Sequence, residues 1–140
     1  MMLKYWLVKT EPEAYSFETL LKTGFTDWDG VRNYQARNNL AAMAVGDWVL
    51  VYHSISDKAV VGVATVCKAA YPDPSDDKWI AVGMAPVCAL AKPLTLAEIK
   101  ADEQLSTMPL IKQSRLSVMP LEKLDFDRVL LLGETKLLKP

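Results

Sequence analysis

Residues 3–9 (LKYWLVK) alternate loosely, with Leu3, Tyr5 and Leu7 on one side and Lys4, Trp6 and Val8 on the other, the pattern of a partly buried strand. The period then changes. Ser16 stands before FETLLKTG as an N-cap, Glu18 falls in the first turn and Gly24 supplies a left-handed stop, which predicts a short helix. After Asp29 and Gly30, the positions of Val31, Tyr34, Leu40 and Met43 follow mostly helical offsets, so residues 31–43 read as a loop leading into a helix. Two β-branched runs, WVLVYHS (48–54) and AVVGVATVC (59–67), are joined by a polar link with Ser56 and Asp57 and predict a hairpin. A further strand, WIAVGMAPVCAL (79–90), follows a turn at Pro72, Asp73 and Pro74, and Pro86 interrupts it with an edge or a bulge. Thr95 and Glu98 form the T-x-x-E of a capping box. The last third reads as short helices, one near 104–112 and one over DFDRVLLLGE, with Asp125 as cap and Gly133 as stop. Strands paired locally, with helices set around them, describe an α+β domain on a small antiparallel or mixed sheet.

Composition narrows the functional classes. The chain has 140 residues, one domain's worth, and its 51% hydrophobic content predicts a sizeable core. Sixteen Lys and Arg against 17 Asp and Glu give a formal net charge of -1, so non-specific wrapping of a polyanion is disfavoured. Apolar runs are interrupted well short of the roughly 18–20 residues of a membrane helix, and the stretch between Lys4 and Lys9 is too short for the core of a signal peptide. No membrane association and a cytoplasmic location are expected. Cys67 and Cys88 lack C-x-x-C spacing and lie in apolar surroundings, so both are expected to be reduced, buried thiols.

One His and two distant Cys are too few for a zinc site, and neither a dinucleotide-binding nor a P-loop motif occurs, so no metal and no cofactor is expected. His53 and Ser54 are adjacent on one predicted strand, where neighbouring side chains point to opposite faces, and cannot form a hydrolytic dyad. What stands out is local charge. No acid occurs between Asp29 and Asp47, a stretch holding Arg32, Asn33, Tyr34, Gln35, Arg37, Asn38 and Asn39; none occurs between Glu103 and Glu122, around Lys112, Gln113, Ser114, Arg115 and Ser117. Arg forks and carboxamides grip phosphates and read base edges, and an aromatic face offers a stacking platform. Ordinary solvation or pairing of those arginines is the competing reading. A Trp is more often core than cage; Trp28, between Asp27 and Asp29 in a turn-like stretch, is the one best placed to differ. His53 reads equally as a structural histidine or a pocket donor.

The segments KYWLVKTEPEAYSF, WDGVRNYQARNNLAAMAVGD, VYHS with VVGVATV, AYPDP and KQSRLSVMP, in this order over residues 4–133, resemble an EVE domain of the PUA-like superfamily, related to the YTH readers of methylated adenine. The resemblance implies a single domain over residues 1–140, with a twisted, barrel-like β-sheet flanked by short helices. It also implies binding of a modified base, especially modified cytosine such as 5-methylcytosine in DNA, with RNA as the other nucleic-acid partner. Carried onto this chain, it places Lys9, Thr10 and Glu11 on one wall of a base pocket, Trp28 as its aromatic wall, and Arg32, Asn33 and Arg37 at its mouth. Tyr52, His53 and Ser54 would line the opposite strand, with Ser114 and Arg115 closing the rim. The chain departs from the commoner pattern at Thr10, where Ser is usual, and at Phe17, where Trp is frequent; LEKLDF ahead of the last helix also differs.

The expected function is therefore a non-catalytic module that accommodates a modified nucleobase in an aromatic pocket. Two readings compete with it: an enzyme of the base-excision type, with Glu11 or Asp29 as acid–base group, and a protein-interaction domain whose aromatics are all core.

Overall fold

A computed structural model describes residues 3–137. Strand β1 (Tyr5–Thr10) and helix α1 (Phe17–Thr23) are followed by β2 (Thr26–Trp28), α2 (Tyr34–Ala42) and β3 (Trp48–His53). Then come the long strands β4 (Ala59–Asp73) and β5 (Asp76–Thr95), the helices α3 (Leu96–Ala101) and α4 (Pro109–Lys112) with a 3-10 turn at Leu105–Thr107 between them, β6 (Val118–Leu121) and α5 (Lys123–Leu132). The six strands form one mixed sheet in the order β2-β5-β4-β3-β1-β6, parallel between β1 and β3 and antiparallel elsewhere. The sheet is not closed: β2 and β6 are its two edges. This is an α+β fold with five short α-helices among the described residues.

The local signals explain most element ends. Ser16 Oγ accepts from the Thr19 amide and Gly24 closes α1 at φ +77°. Thr95 and Glu98 make both bonds of the capping box of α3. In β1, Trp6, Leu7 and Val8 are all buried, because the strand lies inside the sheet with side chains covered on both faces. The β4–β5 ribbon turns at Asp73–Asp76 and shifts register repeatedly, including at Pro86, where Val63 faces Cys88 and Ala64 faces Pro86. Each such bulge bends and twists the ribbon, curling the sheet around its core. On the outer side, Phe126 of α5 packs on Tyr5 with ring centroids 4.8 Å apart.

Several expectations need correction. The strands of the long ribbon extend well past the apolar runs that announce them, and β2 and β6 are strands where none is expected. Helix α5 begins at Lys123 after Glu122, with Asp125 inside its first turn and not at the cap; Gly133 does end the helix, and the left-handed residue follows it at Glu134. Cys67 is exposed, because the register shift after Val66 turns the outer half of β4 into a ribbon open to solvent; Cys88, on β5 opposite Val63, is half-buried. Tyr34, spaced like a core residue, is 73% exposed, since it opens α2 and its ring lies outside the core.

Gly62 is required by its neighbour. A Cβ there would sit 2.3 to 2.6 Å from the Phe17 ring, which is itself buried at the start of α1. Gly62→Ala is expected to lower stability by about 1–3 kcal/mol, the usual cost of overpacking. A urea unfolding midpoint equal to wild type would overturn this.

Candidate functional site

Where β1 ends, β2 and the loop to α2 come against it and leave a cavity of about 200 Å³, smaller than the ~300–1,000 Å³ of sites for drug-sized ligands and on the scale of one heterocycle. Lys9, Thr10 and Tyr15 line one side, Thr26 to Arg32 another, and Ser117 a third. Pairing of β2 with β5, Trp28 opposite Val82, brings the indole to this wall. Trp28 is only 7% exposed, with Tyr15 edge-on to it at 6.3 Å and 88°, so it is core on one side and cavity wall on the other. Thr10 Oγ1 donates to the Tyr15 carbonyl at 2.8 Å and fixes that loop. The Tyr15 hydroxyl is buried and has no partner among the described residues. Lys9 donates from its backbone to the Ser117 carbonyl and from Nζ to the Ser114 carbonyl, tying β1 to the segment before β6.

Asp73 organises the charge behind the cavity. Its buried carboxylate accepts from the Gly30 amide and Arg32 Nη1, both at 2.9 Å, and from the Ser75 amide and hydroxyl, both at 2.7 Å. Burial pushes this carboxyl up, but the bonds from Ser75, Gly30 and Arg32 outweigh it and hold Asp73 well below the usual carboxylate range. Gly30 takes φ +77°, which lets its amide turn inward to Asp73. Arg32, held by Asp73 and by the Ser75 hydroxyl, places its guanidinium 5.6 Å from the centre of the Trp79 ring. Burial, then the negative charge of Asp73, push the Asp29 carboxyl at the cavity wall above its ordinary value. Burial pushes the Lys9 ammonium down. Beneath β2, Asp27 accepts from the Tyr71 hydroxyl, and burial together with that bond drives the Tyr71 phenol far up.

Of the residues singled out in the sequence, Lys9, Thr10, Trp28 and Arg32 line this cavity, as does Asp29. Asn33, Ser114 and Arg115 line a neighbouring polar cleft with Gln35 and Gln113, whose carboxamides are bonded at 3.0 Å. The Asn33 side chain caps α2 by accepting from the Ala36 amide at 3.0 Å. Arg37, one turn into α2, is half-buried, and its Nε has no partner among the described residues. Glu11 is exposed outside the cavity, its carbonyl accepting from the Ala14 and Tyr15 amides. Tyr52, His53 and Ser54 do not form an opposite wall, because β3 flanks β1 on the side away from β6 while the cavity reaches Ser117 ahead of β6. His53 Nε2 accepts from the Phe17 amide at 3.0 Å and its Nδ1 meets Asp57 at 2.8 Å, which pins the start of α1 to the β3–β4 turn. Tyr52 is buried, and the Ser54 amide donates to the Thr10 carbonyl. Tyr15, Gly30 and Asp73 have no sequence signal of their own as site residues; a Tyr beside a cap, a Gly in a turn or an Asp between prolines stands out only through the family segments in which all three lie.

Among the described residues, no helix is long and apolar enough to cross a membrane, and no three His, Cys, Asp or Glu side chains are grouped to hold a metal ion.

Residues 4–132 match the model of the EVE domain. Mouse thymocyte nuclear protein 1 is 36% identical, over 94% of this chain and 74% of that protein. A crystal structure from Agrobacterium tumefaciens superposes with a TM-score of 0.91 at 39% identity, covering 94% of both chains. Human THYN1, solved in complex with 5-methylcytosine-containing DNA, superposes with a TM-score of 0.86 at 34% identity, covering 95% of this chain and 99% of that one. With the sheet, the cavity and the matched segments extending over nearly all of its length, the chain belongs to the EVE-domain family.

Proposed function

We propose that this chain, acting as one domain, is a non-catalytic binder of DNA that carries a modified cytosine, and that the base leaves the duplex to enter the Trp28 cavity. The observation that carries this is a one-ring-sized cavity with an aromatic wall, in a chain similar along its length to a protein solved with 5-methylcytosine DNA. Extruding a base costs a few kcal/mol, and stacking worth about 1–3 kcal/mol with bonds to the base edge offsets it. A near-neutral protein then needs no large positive field. Asp29, on the cavity wall, would accept from the exocyclic amine of cytosine, as carboxylates do in base recognition. A buried methyl adds about 0.8 kcal/mol, so discrimination by the methyl alone is modest. The cleft of Asn33, Ser114 and Arg115 takes the adjoining backbone, with Arg37 behind it; Glu11, Tyr52, His53 and Ser54 support the walls from outside.

The test is a titration of labelled oligonucleotides carrying cytosine, 5-methylcytosine, 5-hydroxymethylcytosine or N6-methyladenine, as DNA and RNA, at two salt concentrations. Wild type is expected to prefer a modified cytosine in DNA, and Trp28→Phe to weaken that binding about 3- to 10-fold by trimming the stacking face, a fraction of the stacking energy per base. Trp28→Ala goes further, about 5- to 100-fold, and is read only after its fold has been checked by circular dichroism. Binding that follows salt but ignores both the base and Trp28 would overturn the reading. Asp29, with its raised carboxyl, favours one second reading, a base-excising enzyme with Asp29 as general acid. Abasic sites formed on incubation with a modified oligonucleotide, and lost in Asp29→Asn, would establish that reading instead.

A further inference from the structure

Tyr34 is the most exposed large hydrophobic side chain among the described residues, at 73%. It is an unusual residue to leave in water at the start of a helix. Its ring lies on Trp79 of β5, with centroids 5.2 Å apart and planes inclined by 31°, so one face is covered and the other is free. Trp79 in turn has the Arg32 guanidinium 5.6 Å from its ring centre, and Arg32 is fixed by Asp73, whose carboxylate is wholly buried. The three groups make a short ladder, Arg32, Trp79, Tyr34, whose inner rung also lines the cavity. The ladder is rigid at its base and open at its end. A free aromatic face costs little conformational entropy to use, and any base has a π-face to set against it. Arg32 is paired with Asp73, and Asp76 and Asp77 lie on the same strand as Trp79, so the free ring face and not a positive field is what this surface offers a base.

We propose that Tyr34, backed by Trp79, is a second stacking site, which holds the nucleobase next to the one in the cavity. The proposal rests on the base-binding reading above and deepens it. Extruding one base leaves its neighbour with an unstacked face, and a platform joined to the cavity through Arg32 is placed to cover that face. Arg32 thereby sets the spacing between the two sites, and Asp73 holds Arg32 in place.

Three probes separate this from the cavity itself: a 5-methylcytosine oligonucleotide, the same oligonucleotide with its neighbouring nucleotides made abasic, and free 5-methyl-2′-deoxycytidine. Tyr34→Ala, an exposed substitution, is expected to weaken the intact oligonucleotide about 5- to 100-fold and leave nucleoside affinity unchanged, whereas Tyr34→Phe retains binding. On the abasic probe, wild type should fall to the level of Tyr34→Ala, with no further loss in the variant. Equal binding of wild type and Tyr34→Ala to the intact oligonucleotide would overturn the platform and leave the cavity untouched. A loss of the same size on the nucleoside would overturn it as well, by showing that Tyr34 acts through the cavity. Failure of the cavity reading looks different, since nucleoside binding would then ignore Trp28.

Discussion

Asp73→Ala is expected to lower stability by about 2–4 kcal/mol and to weaken oligonucleotide binding in the same protein. Removing the carboxylate leaves the Gly30 and Ser75 amides without their acceptor and frees Arg32, which is itself partly exposed and can turn to water. Most of the loss therefore comes from the amides, Gly30 in the β2–α2 loop and Ser75 in the β4–β5 turn, and less from the ion pair. Urea unfolding measures the first effect, and titration of a 5-methylcytosine oligonucleotide the second. A loss below about 1 kcal/mol would mean that water replaces the carboxylate at little cost. The same group sets an acid limit. Its folded-state titration lies below that of the unfolded chain, so its contribution is fully present above the ordinary carboxylate range and is lost as pH falls through that range toward the folded-state value. Wild type should lose stability on acidification from about pH 5 downward, and Asp73→Ala should show a flatter slope there.

Asp47→Ala is expected to be of similar size, about 2–4 kcal/mol, with no direct effect on the cavity. Asp47 is 1% exposed and accepts from the Trp6 indole at 2.9 Å, the Ala44 amide at 2.9 Å and the Lys4 amide at 3.1 Å. One carboxylate thus joins the start of β1 to the turn before β3, across a parallel pair that no hairpin holds together. Truncation removes the acceptor of an indole donor whose residue is 3% exposed. Nucleoside binding unchanged, with a large shift in the unfolding midpoint, is the expected outcome; a small shift would show that the indole finds water.

The centre of the sheet is legible in the sequence because its residues announce themselves by burial: LKYWLVK, WVLVYHS and AVVGVATVC become β1, β3 and the inner half of β4. Ser16, Gly24, Thr95 and Glu98 act locally, and local chemistry survives any fold. The edges are not legible. Thr26–Trp28 is too short and polar to show a period, and β6 contains Pro120. Beyond Cys67 the strand is exposed on most residues, so hydropathy gives no reason to continue it, although the ladder with β5 does. At the site, Trp28 and Arg32 are visible as an aromatic and a cation in unusual company. Asp73 and Tyr15 are not, because their roles depend on which loops meet, and only pairing across the whole chain decides that. His53 shows the same limit: its neighbours in sequence suggest a pocket, whereas the Phe17 amide and Asp57 take both of its ring nitrogens.

The place of β1 between β3 and β6 bears on how the chain assembles. Its partners come from the middle and from the far end of the sequence, so neither ladder can zip up from a turn, and each requires closure of a long loop before it yields contacts. The β4–β5 ribbon can form as soon as it is made. A growing polypeptide therefore carries Trp6, Leu7 and Val8 without their β6 neighbours until Val118–Leu121 has been synthesised, and that interval is when self-association competes with folding.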